Sequence, residues 1–339
     1  MKQYLLPESG KFYKANMHMH TTVSDGCYTP EDIKRIYMDL GYSILAYTDH
    51  EVIVPHTDLT DENFLALTGY EITIWESGAH IDRKVYHLNL IAKEAENNIS
   101  SSFRLVDIDQ DRQYVTEEMM KYSHPRKYSQ ECVNEIIESA KKEGFLVSLN
   151  HPVWSTQNYT DYAGLKGLWA TEVYNSASNL GGAIENTQAF EDLVRLHEPV
   201  FPLAVDDTHY SFHVGHGWIM VKSDSLDYPT VIAALEKGDF YASTGPEIRE
   251  LYLEEGVLHI KTSEAAGIYV TTEKIKRWSA MGTEEEPVTE ASFNISDYVQ
   301  RTLTGTTNKQ AYIRVTVKDF KGEYAYSRAY FLDELVASV

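Results

Sequence analysis

Cysteine and positive charge are both scarce in this sequence of 339 residues. Its two cysteines, Cys27 and Cys132, are too few and too far apart for a disulfide framework or a zinc ribbon. The 30 Lys and Arg residues face 51 Asp and Glu residues, so the formal net charge is −21. Such acidity argues against sequence-independent binding to nucleic acid, because that affinity comes from cations that neutralise phosphates.

Long apolar runs are also missing. No stretch approaches the roughly 20 apolar residues that span a bilayer, and residues 1–17 lack the continuous apolar segment of a signal peptide. We therefore expect a cytoplasmic protein with no membrane partner, unless a leader has been removed. A chain of this length predicts one large domain plus a smaller one, or two comparable domains.

Strand-like and helix-like segments alternate over the first two-thirds of the chain. Strands are predicted at 13–20, 43–48, 64–71, 85–91, 145–150, 169–174 and 200–206. Helices are predicted to begin at Thr29-Pro30 and to cover 130–143 and 184–197. Repeated βα units imply a parallel sheet, open or closed into a barrel, with the chemistry at the carboxyl ends of its strands.

Two regions depart from this alternation. Residues 93–127 form a long polar insertion with a short helix predicted at 116–122, and we interpret it as a lid because connections of that length are usually functional. From residue 247 onward, alternating segments rich in Thr, Val and Tyr predict a small antiparallel β domain. The expected domains are therefore 1–246, which contains the insertion, and 247–339.

Histidines and carboxylates recur where the predicted strands end. The first strand closes with His18-Met19-His20, and alternate residues of an extended segment share a face, so both imidazoles can reach one metal ion. The further motifs, in chain order, are Ser24-Asp25-Gly26, Thr48-Asp49-His50, Gly69-Tyr70-Glu71, Tyr86-His87-Leu88, Asn150-His151-Pro152 and Asp206-Asp207-Thr208-His209.

These motifs, in this order, resemble those of the PHP family, the polymerase and histidinol phosphatase superfamily, over about residues 11–245. The resemblance implies a distorted seven-stranded βα barrel that holds up to three metal ions and hydrolyses phosphate esters. It implies three ligand sets, which are His18, His20, Glu71 and Asp207 for one ion, Glu71, His87 and His151 for a second, and Asp25, His50 and His209 for a third.

The ligand types narrow the choice of metal. Imidazoles and carboxylates together suit Zn, Mn or Fe, and we expect two or three divalent ions. Glu71 would bridge two ions, and a hydroxide shared between them would attack a small phosphomonoester, such as a nucleotide, sugar or amino-alcohol phosphate. Glu71, Asp207 and His209 are the predicted catalytic residues.

Several assignments stay open at this point. His80 competes with His87 as a ligand, and Asp206 competes with Asp207, although only Asp207 has the DxH spacing to His209. Asp49 either orients ligands or caps a turn. The candidates for holding the substrate are His80, Arg83, Lys84 and Arg126, although residues of this kind are more often solvated surface charges. Trp154 could stack on a base or sugar, or pack in the core.

Two other functions are kept as alternatives. One is a metal-dependent hydrolase of a non-phosphate bond, of the amidohydrolase type, although such centres usually use a carbamylated lysine and no lysine stands at a predicted strand end. The other is a non-catalytic, regulatory metal-binding module. The expected partner is a small phosphorylated metabolite, and the sequence leaves the oligomeric state open.

Overall fold

The computed structural model describes residues 2–78, 83–100, 102, 112–121, 126–304 and 311–335. The helices in these ranges are α1 Pro30–Asp39, α2 Glu117–Met120, α3 Gln130–Lys142, α4 Tyr159–Tyr162, α5 Ser176–Leu180, α6 Gln188–Arg195, α7 Tyr228–Lys237, α8 Ser296–Thr304 and α9 Leu332–Leu335. None of these helices is long and apolar enough to cross a membrane.

The strands fall into an N-terminal and a C-terminal set. The first is β1 Lys2–Tyr4, β2 Lys11–Asn16, β3 Tyr42–Tyr47, β4 Leu65–Trp75, β5 Val85–Ala92, β6 Phe145–Leu149, β7 Ala170–Asn175, β8 Phe201–Val205, β9 Trp218–Ser223 and β10 Phe240–Ser243. The second is β11 Ile248–Glu254, β12 Val257–Ala265, β13 Gly267–Thr272, β14 Arg277–Met281, β15 Val288–Asn294, β16 Tyr312–Lys318, β17 Tyr324–Ser327 and β18 Tyr330–Phe331.

Local sequence explains where the helices near the candidate site begin. The Thr29 side chain accepts a hydrogen bond from the backbone N–H of Asp32 at 3.2 Å, and Pro30 occupies the first helical position of α1. Ser129 caps α3 in the same way, through the N–H of Cys132. The helix predicted at 184–197 is shorter than expected, since α6 covers only Gln188–Arg195.

The main sheet is mixed, which corrects the expectation of a parallel sheet. Strands β2, β3 and β4 pair in parallel, and so do β6, β7 and β8, but β5 is antiparallel to both of its neighbours. The reason is the short connection between β4 and β5, which spans residues 76–84. A parallel pair needs a crossover of a dozen or more residues, so β5 returns along β4 as an antiparallel partner.

The seven strands from β2 to β8 are neighbours in one path, and no closed barrel is detected among the described residues. Beyond the strand ends, a parallel bridge joins Met19 to Thr208. The N–H of His20 also donates to the carbonyl of Thr208 at 3.0 Å. These contacts draw the two ends of the path together on the side of the candidate site, while the seven-stranded barrel itself stays a prediction.

The C-terminal strands continue the main sheet. Strand β10 pairs with both β9 and β17, and a separate four-stranded sheet has the order β1-β11-β12-β15. A second apolar core lies under these strands and includes Leu251, Ile260, Ile268 and Val315. The division into domains 1–246 and 247–339 remains a prediction.

Candidate metal centre

The predicted ligands come from the loops at one edge of the main sheet. His18 and His20 follow β2, which ends at Asn16 and not at residue 20 as predicted. His50 follows β3 and is bridged to Glu71, which lies inside β4. The remaining ligands that follow strands are Asp25 in the loop before α1, His151 after β6, and Asp207 and His209 after β8.

The reversed direction of β5 explains how His87 joins them. His87 stands near the start of its strand, opposite Thr73 of β4. In an antiparallel strand, the start lies at the edge where parallel neighbours end. His87 is therefore carried to the same edge as His50 and His151, and its Nδ1 lies 3.1 Å from Oε1 of Glu71.

The side chains form overlapping groups whose ligand atoms lie within 4.8 Å of one another. We define the inner group as His18, His20, Glu71, His87, His151 and Asp207, and the outer group as His20, Asp25, His50 and His209. The geometric clusters are His18-Glu71-His151, His18-His20-Asp207 and His20-Asp25-His50-His209. Eight of the nine predicted ligands belong to these clusters, and the ninth, His87, joins them through the contact of its Nδ1 with Glu71. Their role as metal ligands remains a prediction.

Glu71 lies at the centre of both groups. Its Oε1 is 3.3 Å from His18 Nε2 and 3.1 Å from His87 Nδ1, whereas its Oε2 is 3.1 Å from His50 Nδ1. The carboxylate is buried, with 1% of the side chain exposed. Two oxygens that face different histidines are the arrangement required of a carboxylate that bridges two ions.

Several ligand atoms of the cluster are placed to bind divalent ions and not to form hydrogen bonds with one another. Nε2 of His18 faces Nε2 of His20 at 3.2 Å. Within the described ranges, Asp207 Oδ1 and His50 Nδ1 are buried and lie close to other atoms of the cluster, but neither makes a hydrogen bond of normal geometry. Buried polar atoms are almost always partnered. Facing nitrogens and unpartnered atoms in one pocket therefore indicate a place for Zn, Mn or Fe, which accept imidazole and carboxylate ligands.

In three of these histidines, the second ring nitrogen contacts a backbone carbonyl, a hydroxyl or a carboxylate. Nδ1 of His209 donates to the carbonyl of Asp207 at 2.9 Å, and Nδ1 of His151 lies 3.2 Å from Ser155 Oγ. His18 Nδ1 lies 2.7 Å from Oε1 of Glu172. Such contacts fix the tautomer and aim the opposite nitrogen at the metal.

Glu172 is a residue that sequence reasoning missed. It is buried in β7, and it contacts the segments that carry three of the predicted ligands. One signal was present in the sequence: Glu172 is an acid inside an otherwise uncharged strand, three residues before the strand's buried polar end at Asn175. A buried carboxylate needs partners, and here the partners are site residues.

The structure separates the roles of Asp206 and Asp207. Asp206 accepts hydrogen bonds from the backbone N–H groups of residues 215–217 and from the hydroxyl of Tyr37, so its carboxylate is used to hold a loop. Burial raises the pKa of Asp206. Asp207, in contrast, turns its carboxylate toward His18 and His20, at 3.2 and 3.1 Å.

Asp49 orients the loop that carries Asp25. Its Oδ1 accepts the N–H of Thr21 at 2.7 Å and the hydroxyl of Ser24 at 2.8 Å, and its Oδ2 accepts the hydroxyl of Thr21 at 2.9 Å. Ser24 Oγ in turn lies 3.4 Å from Nδ1 of His20. Of the two roles considered for Asp49, the contacts support the orienting one.

Burial disfavours the charged form of each group in the cluster, whereas contact with an oppositely charged neighbour favours it. Burial opposes ionisation of Glu71 and Asp207, but the surrounding histidines hold the pKa of each carboxyl well below its usual range. Burial and the neighbouring His20 lower the pKa of His50 to about 3. Burial also disfavours charge on His151 and His209, yet contact with Glu71 and Asp25 respectively raises the pKa of each to about 9.

The predicted substrate residues are placed in different surroundings. The guanidinium of Arg83 stacks 4.1 Å from the centre of the Trp75 ring, and the ammonium of Lys84 pairs with Asp161 at 2.7 Å. Arg126 is buried and pairs with Glu51. His80 lies outside the described residues, as does much of the predicted lid at 93–127.

Trp154 stands at the mouth of the centre. Its ring centre is 4.9 Å from that of His151 and 5.5 Å from that of His87, and 45% of the residue is exposed. Neither core packing nor free exposure describes this position. The indole contacts the rings of His87 and His151 at steep and tilted angles, and its exposed part is available to a molecule that approaches the site.

The fold and the site together define a mixed α/β chain with a buried cluster of histidines and carboxylates suited to divalent metal ions. No protein-family model matches the chain. A curated relative, the 5′-3′ exoribonuclease Rnm of Escherichia coli (strain K12), is 39% identical over 69 residues, which are 18% of this chain and 24% of that protein. The match therefore spans about a quarter of the relative's length.

Three solved structures are similar to this one. A two-domain protein from Bacteroides vulgatus ATCC 8482, described as containing a predicted PHP-like metal-dependent phosphoesterase, has 14% identity and a TM-score of 0.44, with 97% of this chain and 98% of that chain covered. A protein from Bifidobacterium adolescentis ATCC 15703, assigned as a metal-dependent phosphoesterase, has 18% identity and a TM-score of 0.37, with 61% and 90% covered.

The third is an amidohydrolase from Chromobacterium violaceum with bound sulfate and no metal, at 15% identity and a TM-score of 0.36, with 57% and 87% covered. The sequence-based recognition of a PHP-like metal-dependent phosphoesterase agrees with the first two neighbours. Because all three TM-scores lie below 0.5, we base the function on the side chains of the site.

Proposed function

We propose that this chain is a metal-dependent phosphoesterase of the PHP type that hydrolyses a small phosphomonoester, such as a nucleotide, sugar or amino-alcohol phosphate. The single observation that supports this most is the meeting of nine predicted ligands around Glu71. These residues come from four separate loops and two strands, and their surroundings leave ligand atoms facing one another in a buried pocket.

The two groups would hold two or three divalent ions of Zn, Mn or Fe. When bound, such ions supply a water of lowered pKa and neutralise charge on phosphate oxygens. Glu71 would hold the inner and outer groups at a fixed separation, and Asp207 would add negative charge between His18 and His20. No side chain is required as a nucleophile.

The outer group faces solvent, so the substrate would enter from that side. The side chain of Asp25 is 49% exposed, and those of His50 and His209 are 25% and 21% exposed, whereas that of His18 is fully buried. His209 is then the predicted catalytic residue nearest to an entering phosphate. Its Nδ1 is held by the carbonyl of Asp207, so Nε2 would bind the outer-group ion, through which His209 would act on the phosphate.

A small phosphorylated metabolite is favoured over a nucleic acid polymer by charge. The net charge of −21 offers no sequence-wide attraction for a polyanion. The curated relative is named as an exoribonuclease, so a short RNA is the appropriate competitor in a substrate test. A cytoplasmic location stays a prediction.

The test uses the full chain, stripped of metal with a chelator and reloaded separately with Mn²⁺, Fe²⁺ or Zn²⁺. A panel of phosphomonoesters, a short RNA and an amide substrate is then assayed. We expect phosphate release from a small phosphomonoester, dependent on the added ion. Bound metal without phosphate release from any member of the panel would contradict the proposal, and amide cleavage would favour the amidohydrolase alternative.

A further inference from the structure

Glu172 connects three segments that carry inner-group residues. Its Oε1 accepts the Nδ1–H of His18 at 2.7 Å, and its Oε2 accepts the backbone N–H of His151 at 2.9 Å. Oε2 also accepts a hydrogen bond from Nδ2 of Asn175 at 2.8 Å, and the same Nδ2 donates to Oδ2 of Asp207 at 3.1 Å. Within the described residues, each of these hydrogen bonds of the buried carboxylate leads to a predicted ligand, directly or through Asn175.

The contact with His18 determines which ring nitrogen is free. An ionised carboxylate only accepts hydrogen bonds, so His18 must carry its proton on Nδ1. In the neutral ring, Nε2 then carries the lone pair, and Nε2 is the atom that faces Glu71 at 3.3 Å and Asp207 at 3.2 Å. Without Glu172, the ring could carry the proton on Nε2, which would direct a hydrogen at the metal position.

The backbone supports the same reading. His151 and Asp207 adopt positive φ values of 25° and 52°, in the region that favours glycine. Such conformations persist only when the surrounding structure determines them. Glu172 bonds the backbone of His151 directly, and it bonds the side chain that restrains Asp207. Two unfavourable ligand conformations thus depend on one carboxylate.

The outer group has a different organiser. Asp49 holds Thr21 and Ser24, and through this loop it positions Asp25 and the Nδ1 side of His20. In the described part of the chain, the side chain of Asp49 bonds Thr21 and Ser24 and does not reach His18, His151 or Asp207. The inner and outer groups share His20, and Glu71 of the inner group contacts His50 of the outer group, but the two groups are oriented by two separate buried acids.

We propose that Glu172 is the positioning residue of the inner group, acting through His18, His151 and Asn175, and that it acts separately from Asp49, which positions the outer group. This inference rests on the proposed function for the presence of metal ions. It assigns to Glu172 an effect on how tightly the inner group binds a divalent ion, and no direct contact with substrate.

Glutamine is the informative substitution. The carboxylate of Glu172 accepts on both oxygens, whereas the amide of glutamine has one acceptor and one donor. In Glu172→Gln, the NH₂ group must therefore face either Nδ1–H of His18 or the N–H of His151. The first arrangement reverses the tautomer of His18, and the second breaks the hold on the backbone of His151. We expect metal affinity at the inner group to fall about 10- to 100-fold.

The experiment measures metal binding by the full chain with Zn²⁺ and a competing chromophoric chelator, and counts bound ions by elemental analysis. Four proteins are compared: wild type, Glu172→Gln, Asp49→Asn and Glu191→Gln. Glu191 is a matched control, because it is a buried glutamate in α6 that pairs with Arg314 and contacts no predicted ligand in the described part of the chain. Circular dichroism confirms that each variant is folded.

A second measurement links the effect to the inner histidines. Loading with Co²⁺ gives an absorption spectrum that depends on ligand geometry. Glu172→Gln should alter this spectrum, and Glu191→Gln should leave it unchanged. In a double-mutant cycle with His151→Ala, the two losses of affinity should be far from additive, whereas Glu172→Gln and Asp49→Asn should combine additively.

The outcomes separate this inference from the proposed function. Wild-type affinity and spectrum in folded Glu172→Gln would overturn the inference alone, as would identical effects of Glu172→Gln and Asp49→Asn on every bound ion. If Glu172→Gln weakens metal binding but the wild-type protein hydrolyses no phosphomonoester, the inference is supported and the proposed function is overturned. A wild-type protein that binds no divalent ion would overturn both.

Discussion

The guanidinium of Arg126 and the carboxylate of Glu51 form a two-point ion pair, with Nη1–Oε1 and Nη2–Oε2 both 2.7 Å apart. Arg126 ends the insertion, and Glu51 directly follows His50. Nη1 also donates to the carbonyl of Thr73 at 2.9 Å, and Glu51 adopts a positive φ of 64°. The insertion is thus tied to the loop that presents an outer-group histidine.

Removing one partner of this pair should destabilise the protein. The two side chains are 1% and 3% exposed, so Arg126→Ala removes a two-point ion pair from the interior and takes this cation away from the buried carboxylate of Glu51. We expect the free energy of unfolding to fall by about 3–5 kcal/mol, measured by urea denaturation. Arg35→Ala is the control, because the Arg35 side chain is 70% exposed in its pair with Asp32; there we expect a loss of about 1 kcal/mol or less.

Glu71→Gln should abolish most of the activity while the fold is retained. An amide of the same shape cannot present two anionic oxygens to the inner and outer groups, so one ion should be lost or displaced. We expect kcat/KM to fall by several orders of magnitude, roughly a thousandfold or more, with an unchanged circular dichroism spectrum. Wild-type rates in this variant would contradict the bridging role; Glu191→Gln is the matched control.

Metal uptake should release protons at neutral pH. In the metal-free chain the pKa of His151 and of His209 is about 9, so both rings are protonated at pH 7, whereas His50, with a pKa of about 3, is neutral. Ions must displace the protons on His151 and His209, and affinity should therefore rise as the pH rises toward 9. Titration calorimetry in two buffers with different ionisation enthalpies measures the released protons.

The same shifts give the metal-free protein the opposite pH dependence. A histidine whose pKa is raised above the unfolded value of about 6.5 stabilises the fold fully below that pH. That stabilisation is lost as the pH rises through about 9. We expect the thermal midpoint of the metal-free chain to decrease between pH 6.5 and 9 relative to that of the metal-loaded chain. Parallel profiles for the two forms would contradict the assignment.

Trp154→Ala should weaken substrate binding without removing the metal. The indole lies beside His87 and His151 and is 45% exposed, so it offers an aromatic face to a bound base or sugar. Loss of such a contact should raise KM roughly 2- to 12-fold, with a smaller change in kcat. Trp278→Ala, in β14 of the C-terminal strands, should leave both constants unchanged.

Most residues of the candidate site could be predicted because the candidate ligands lie in short sequence motifs. His18 and His20 alternate in an extended segment, and the pattern is valid whether or not the strand continues past Asn16. The choice between Asp206 and Asp207 also followed from local spacing to His209. What spacing could not supply was the task of Asp206, because its partners at residues 215–217 and Tyr37 are distant in the chain.

The direction of a strand and the partners of a buried ion pair were harder to predict from the sequence. The strand at residues 85–91 was located correctly, but a hydrophobic run has no direction in a sheet, and the short link to β4 was the only clue that β5 is antiparallel. Arg126 was expected near the substrate as a charged residue of the insertion. Its actual partner, Glu51, lies 75 positions earlier, and no local pattern relates the two.

By itself, the sequence determined which residue types would gather at the strand ends and the metals that such ligands prefer, because side-chain chemistry and strand periodicity are local properties. Only the tertiary structure decided how those residues are held: Glu172 beneath His18 and His151, Asp49 beneath the Asp25 loop, and Arg126 on Glu51. The reason is physical. A buried charge must find partners wherever the folded chain brings them, and that proximity depends on packing between segments far apart in the sequence.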